Sequence, residues 1–213
     1  MKIFKKLFKD NQKINASEIA YVKNNKATTI DNCFNNLNNL VKEIKVTSNQ
    51  ADILIDGLDM VADGGKYFIE AQIVTSNQND FNVTINGIEQ GYYHMAVAAQ
   101  SSNSSTAATN IASQYYEYTN SLAYWMHGST LDVFPSKLTI ELSFNALENG
   151  KKLINYHLKY VNAQSGNNQL VNISGQQYYE VDNLTSFKIS ASYGDMKFKK
   201  GTIIRVYRAK NVI

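Results

Sequence analysis

Hydrophobic positions recur with two different periods along this chain, and the switch between them predicts its organisation. Ile30, Phe34, Leu37, Val41 and Ile44 follow one another at steps of 4, 3, 4 and 3, the spacing of a d-a-d-a-d seam. Thr28 or Thr29 stands where a helix cap belongs. Between the seam positions lie Asn32, Asn35, Asn36, Asn38, Asn39 and Lys42. Asparagine is a poor helix former, so the pattern predicts a short helix over these residues that depends on packing of its seam. That packing is either self-association, with Phe at a and Ile at d suiting a trimer at least as well as a dimer, or docking on the chain's own β region. From Thr47 to Gly65 the pattern blurs: Ala51, Ile53, Leu54, Ile55, Leu58, Met60 and Val61 fit either a continued helix or a short strand. Asp56-Gly57 and Asp63-Gly64-Gly65 punctuate it, the second as the expected entry turn to a β domain.

Beyond Gly65 the period falls to two. Tyr67, Ile69, Ala71 and Ile73 alternate with Phe68, Glu70, Gln72 and Val74, as on a strand with one buried face. Further strands are predicted around Phe81–Ile85, Tyr92–Ala99, Ile111–Tyr118, Lys137–Phe144, Asn155–Val161, Gln169–Ile173, Phe187–Ala191 and Thr202–Tyr207. Leu122–His127 and Leu131–Phe134 are shorter apolar segments, the latter ended by Pro135, the only proline. Asn86-Gly87 is a good candidate for a type I′ or related turn, and Ser101–Ser105 is polar enough for a loop. Short strands with turn signals between them and no alternating long helices predict a mainly β fold, a jelly-roll-like β-sandwich, and argue against α/β enzyme architectures. The expected division is residues 1–25 as a basic segment, 26–64 as helix and linker, and 65–213 as the sandwich.

Charge changes this picture only at the amino terminus. Lys2, Lys5, Lys6, Lys9 and Lys13 against Asp10 give the first thirteen residues a side-chain charge of +4; the whole chain carries +3, which leaves the remainder near −1. A nucleic-acid-binding role for the body therefore has little support. In the first segment Ile3, Phe4, Leu7 and Phe8 recur at helical spacing among Lys2, Lys5, Lys6 and Lys9. Ten residues make a marginal helix in water. The stretch is open to three readings: a frayed terminus, a peptide that orders against a partner protein, or a membrane-surface contact. No apolar run of the roughly 7–15 residues needed for a signal peptide follows the lysines, and no span of about 18 apolar residues appears for a membrane crossing. Cys33 is the only cysteine, so no internal disulfide is expected, and synthesis in a reducing cytoplasm fits the composition.

Catalytic chemistry finds little purchase. His94, His127 and His157 are scattered without metal-ligand spacing, and no cofactor or metal is expected. His94 lies in an apolar strand and is expected to be packed or hydrogen-bonded. His127 follows Tyr124-Trp125-Met126, so Tyr124, Trp125 and His127 form the candidate ligand-binding surface; Asp132 lies near in sequence, but no activated nucleophile accompanies it. Gly64-Gly65-Lys66 lacks the remainder of a phosphate loop, and Asp80 and Asp195 fall in turns, where aspartate bonds its own backbone. Tyr92-Tyr93, Tyr115-Tyr116 and Tyr178-Tyr179 are each expected to straddle a strand. One ring of each pair would then enter the core, and the other would be left for packing or for stacking on a sugar.

Several short motifs carry a resemblance. Asn79-Asp80-Phe81, then Ile85-Asn86-Gly87 and Tyr93-His94, resemble a hairpin of small β-sandwich domains in tailed-phage virion proteins; the Ser101–Asn110 loop and Ile140-Glu141-Leu142 accompany it. Leu184-Thr185-Ser186-Phe187-Lys188-Ile189, followed by Gly194, Phe198, Gly201-Thr202 and Tyr207, resembles the closing strand pair of those domains. Ala16-Ser17-Glu18-Ile19 and Ala27-Thr28-Thr29-Ile30-Asp31-Asn32 resemble the linker and helix ahead of trimeric phage appendages such as head fibres of crAss-like phages. The likeness spans most of Ala16–Ala209. Lys199-Lys200 and the ending Arg205-Val206-Tyr207-Arg208 depart from it. The resemblance implies a non-enzymatic virion protein: a homotrimeric head fibre or capsid decoration protein on the capsid surface, made in the host cytoplasm. Its anchor to the major capsid protein or another virion protein would be Ile3, Phe4, Lys5, Lys6, Leu7 and Phe8, and its trimer contact Ile30, Phe34, Leu37, Val41 and Ile44. A tail-associated receptor- or glycan-binding protein, meeting a host-surface glycan, is the alternative.

Overall fold

Alternation at period two organises the chain from Leu40 onward. The computed structural model describes residues 20–23, 26–29, 39–102, 110–122, 126, 128–130, 135–164, 167–192 and 194–208. Among these residues the chain is mainly β, without a helix. Two compact units divide it, residues 1–39 and Leu40–Ile213. In the first, β1 (Ala20–Lys23) and β2 (Lys26–Thr29) form an antiparallel pair, with Tyr21 opposite Thr28. Thr28 and Thr29, the expected helix cap, thus stand on a strand, in keeping with their β-branched side chains.

The second unit contains two antiparallel sheets. Its other strands are β3 (Leu40–Lys45), β4 (Asp52–Ile55), β5 (Lys66–Ile73), β6 (Phe81–Ile85), β7 (Tyr92–Ser102), β8 (Asn110–Thr119), β9 (Ser136–Ala146), β10 (Lys152–Gln164), β11 (Asn167–Gln177), β12 (Phe187–Ala191) and β13 (Ile203–Arg208). The larger sheet runs β3-β13-β5-β9-β10-β11-β7-β8, the smaller β4-β12-β6. The two share one core. Ile53 and Ile55 of β4, Phe187 and Ile189 of β12, and Phe81, Val83 and Ile85 of β6 are buried with Leu138, Ile140, Leu158, Tyr160, Val171, Ile173 and Ile204 of the larger sheet. Phe81 packs edge-on against Tyr160 and Phe198, at 5.7 and 6.3 Å between ring centroids, the arrangement favoured by ring quadrupoles.

The helical seam is corrected at its end. Val41 and Ile44 lie on β3, paired with β13, and the unit begins at Leu40 rather than at residue 65. The register shows why a step of three fits a strand here: Val206 faces Lys42 but Tyr207 faces Leu40, so Val41 is the extra residue of a bulge. A bulge resets the alternation, and both Val41 and Ile44 lean on the core. Arg205 Nε donates to Glu43 Oε2 at 2.6 Å across the same pair of strands. Within the ambiguous Thr47–Gly65 stretch, Asp52–Ile55 forms β4, with Ile53 and Ile55 inward and Leu54 outward.

Asn86-Gly87 makes the expected turn, with φ of 53° and 69° and Ile88 N donating to Ile85 O at 2.9 Å. Yet it does not join a hairpin of β6 and β7. β6 pairs with β12 and β7 with β11 and β8, so the chain changes sheets just after the turn. Tyr92, buried at the start of β7, ties the corner: its hydroxyl accepts from Ile85 N at 2.9 Å and donates to Ile88 O at 2.7 Å.

Candidate ligand-binding cleft

Strand period decides which side chains reach the outside of the larger sheet. On β7, Tyr92, His94 and Ala96 are buried, while Tyr93 is half-buried and Met95 and Val97 are exposed. On β11, Val171 and Ile173 face inward, and Leu170, Asn172 and Ser174 outward. Registers Val161↔Leu170, Asn172↔Val97 and Gln176↔Tyr93 therefore place the outward side chains of β10, β11 and β7 on one face. That face grades from apolar to aromatic. Among the described side chains, Val161, Leu170 and Val97 occupy one end, Lys159, Asn172, His157 and the exposed Met95 the middle, and Asn155, Gln176 and Tyr93 the other. In the middle, His157 Nε2 meets Asn172 Oδ1 at 2.7 Å.

At the aromatic end the chain leaves β11 and folds back along the start of β10, where Lys152 and Val181 exchange backbone hydrogen bonds. The return carries Tyr178, Tyr179 and Glu180 outward beside the β9–β10 turn, which Gly150 closes in the left-handed region at φ 80°. An open cleft of about 570 Å³ results, lined by Tyr93, Leu147, Leu153, Gln176, Tyr178, Tyr179 and Glu180; this is within the range of small-ligand sites. Tyr178 stacks obliquely on Tyr93, centroids 5.6 Å apart, and meets Tyr179 edge to face at 5.8 Å and 77°. Tyr179 leans over Gly91, where a Cβ would stand 2.6 Å from its ring, so the missing side chain makes room for it. Gln176 Nε2 donates to Asn155 Oδ1 at 2.6 Å, and Asn149 Nδ2 donates to Glu180 Oε2 at 3.1 Å. The nearby cations are engaged elsewhere. Lys151 Nζ pairs with Asp182 Oδ1 at 2.8 Å, which raises the lysine pKa and lowers that of the aspartate; Lys152 Nζ donates to Asp182 O at 3.1 Å and lies 5.5 Å from the centre of the Phe144 ring.

Tyr178 and Tyr179 correct the expectation that one ring of the doublet enters the core, since both are exposed, at 54% and 37%. The strand ends at Gln177, which takes the inward position instead. Tyr92-Tyr93 does divide as expected. The side chains of Tyr115 and Tyr116 lie outside the described residues. So do Tyr124, Trp125 and His127, the anchoring set Ile3, Phe4, Lys5, Lys6, Leu7 and Phe8, and Ile30, Phe34 and Leu37. The cleft residues carried one sequence signal, the aromatic doublet directly after Gln176-Gln177; Leu147 and Leu153 carried none.

His94 is buried, at 2% exposure, with Nδ1 3.2 Å from the Tyr156 hydroxyl. Desolvation lowers its pKa to about 4. Burial also raises the pKa of Tyr156 and pushes that of Tyr92 up to about 12. Asp195 accepts from Asn77 Nδ2 at 3.0 Å and Asn79 Nδ2 at 3.1 Å, so it ties two loops together. Among the described residues no three His, Cys, Asp or Glu side chains converge as metal ligands. No helix among those residues is long and apolar enough to cross a membrane. Comparison with known proteins yields no match: no family model fits the chain, and no curated protein or solved structure is significantly similar to it.

Proposed function

We propose that the chain is a non-enzymatic virion structural protein, a trimeric head fibre or capsid decoration protein on the capsid surface. Its amino-terminal residues Ile3–Phe8 would grip the major capsid protein or a neighbouring virion protein, and its β unit would project as a jelly-roll-like β-sandwich. The motif resemblance over Ala16–Ala209 suggests the virion; one structural observation supports assembly from several copies. Val161 and Leu170 are direct cross-strand partners on the outer face, with Val97 diagonal to Leu170, and the three are 42%, 55% and 47% exposed. Adjacent apolar side chains left in water favour a protein contact. The strand edge beside them points the same way. β8 has a neighbour on one side only among the described residues, and its sequence Asn110–Thr119 carries a single charge, Glu117. The opposite edge, β3, carries Lys42, Glu43 and Lys45, the charged kind of edge that resists strand addition. A second copy of the chain is the occupant that this pairing of apolar face and open edge suits.

Sedimentation velocity tests the assembly. The intact protein is expected to sediment as three 23.9 kDa chains at micromolar concentration, and Leu170→Asp, an exposed replacement that leaves the core untouched, to shift it towards monomer. A monomeric intact protein, or a trimer indifferent to Leu170→Asp, would contradict this contact. A second reading, a tail-associated receptor- or glycan-binding protein, is favoured by the tyrosine cleft at the other end of the same face.

A further inference from the structure

The chemistry of the tyrosine cleft specifies a class of ligand. We infer that Tyr93, Tyr178 and Tyr179 with Gln176, Asn155 and Glu180 form a binding site for an uncharged segment of oligosaccharide. The inference rests on the reading of this cleft as a ligand-binding surface, and it is independent of where on a particle the protein sits.

A sugar ring presents two kinds of surface. Its axial C–H bonds make an apolar face that lies on an aromatic ring, and its equatorial hydroxyls radiate in the ring plane, each able to donate and accept. A site for it needs an exposed aromatic face flanked by planar groups offering both donors and acceptors. Tyr178 is 54% exposed and is held by rings on two sides, Tyr93 at 5.6 Å and Tyr179 at 5.8 Å, so little conformational entropy remains to be lost when a ligand settles on it. Beside it, the bond from Gln176 Nε2 to Asn155 Oδ1 fixes two amides. That bond turns the Gln176 carbonyl oxygen and the Asn155 amide hydrogens to other partners, an acceptor and a donor set side by side. Glu180 is oriented through Oε2 by Asn149 and keeps Oε1 as an acceptor. Leu147 and Leu153 supply apolar wall.

The same features argue against other classes. A quaternary ammonium group needs ring faces arranged around a void. Here Tyr178 and Tyr179 meet edge to face at 77°, so part of the ring surface such a cation would need is used in the contact between the two rings. An anionic ligand would face Glu180 while Lys151 and Lys152 are bound to Asp182, and no cation is among the described residues that line the cleft.

The full chain is to be probed on a printed panel of neutral, N-acetylated and anionic oligosaccharides, with phosphocholine as the cationic control, and each hit titrated by calorimetry. Binding of a neutral or N-acetylated oligosaccharide is expected, weakened about tenfold or more, near 1.4 kcal/mol, by Tyr178→Ala and by Gln176→Ala. Thermal unfolding of each variant checks folding, and Tyr178→Phe, which keeps the ring, should retain most of the affinity. Selective binding of phosphocholine or of anionic glycans would overturn the assignment. So would silence across the panel, or a hit unaffected by both alanine variants, which would locate the sugar elsewhere. A head or tail location for the protein leaves these outcomes unchanged.

Discussion

His94 is held neutral by its surroundings, and stability should therefore depend on pH. Its side chain is buried between β7 and the Tyr156 ring, and its pKa falls from an ordinary 6.5 to about 4 by desolvation. The unfolded chain binds the proton more readily, so unfolding is favoured as pH falls from 6.5 towards 4, with no further contribution from this group below that. A difference of this size corresponds to about 3 kcal/mol. Denaturant titrations of the intact protein at pH 7 and pH 4 are expected to differ accordingly, and His94→Gln should flatten that part of the profile; an unaltered slope in the variant would assign the loss to other groups. The fit around the imidazole depends on Gly175, opposite His94 and Tyr156 on neighbouring strands. A Cβ there would stand 2.2 Å from Tyr93 O and 2.6 Å from the Tyr156 ring, so only glycine lets the tyrosine cross the strand and donate to Tyr93 O at 3.1 Å.

Among the elements, the corner after β6 concentrates the most consequence in one side chain. Asn86 adopts the left-handed conformation, accepts from Thr185 N at 2.8 Å and Ser186 N at 3.2 Å through Oδ1, and donates to Asn183 O at 2.7 Å. It thereby ties the turn to the loop entering β12. Asn86→Gly keeps the backbone freedom and loses only these bonds, with an expected cost of about 1–3 kcal/mol; Asn86→Ala adds the left-handed penalty of roughly 1–2 kcal/mol. Equal stabilities of the two variants in urea would contradict that separation. The turn was legible because Asn-Gly is a local signal. Which strands it joined was not, since the departure of β7 into the other sheet is set by long-range pairing with β11. The β strands from Lys66 onward were legible for the same local reason: alternation marks a half-buried strand wherever it falls. β3 was hidden because Val41 and Ile44 stand three apart, a helical step, and only the bulge opposite Val206 and Tyr207 makes that step suit a strand. The cleft was half legible. The Tyr178-Tyr179 doublet is visible in sequence, but Tyr93, Leu147, Leu153 and Gln176 come together through strand register, which no short pattern encodes.

For the whole molecule, the outer face of the larger sheet links the proposals. Its apolar end, with Val161, Leu170 and Val97 near β8, which has a neighbour on one side only among the described residues, suits contact with further copies, and its aromatic end suits a neutral sugar. The two ends lie on opposite sides of a mixed middle of Lys159, Asn172, His157 and the exposed Met95, and assembly through one end is expected to leave the other open to a ligand. The basic peptide at the amino terminus supplies, in the proposed role, the separate attachment that a projecting appendage needs. Electron cryomicroscopy of particles carrying the protein tests that role most directly. The account predicts density of threefold character projecting from the shell, with the amino-terminal residues seated in capsid subunits. Density confined to the tail or baseplate, or a shell with no projecting density, would contradict it.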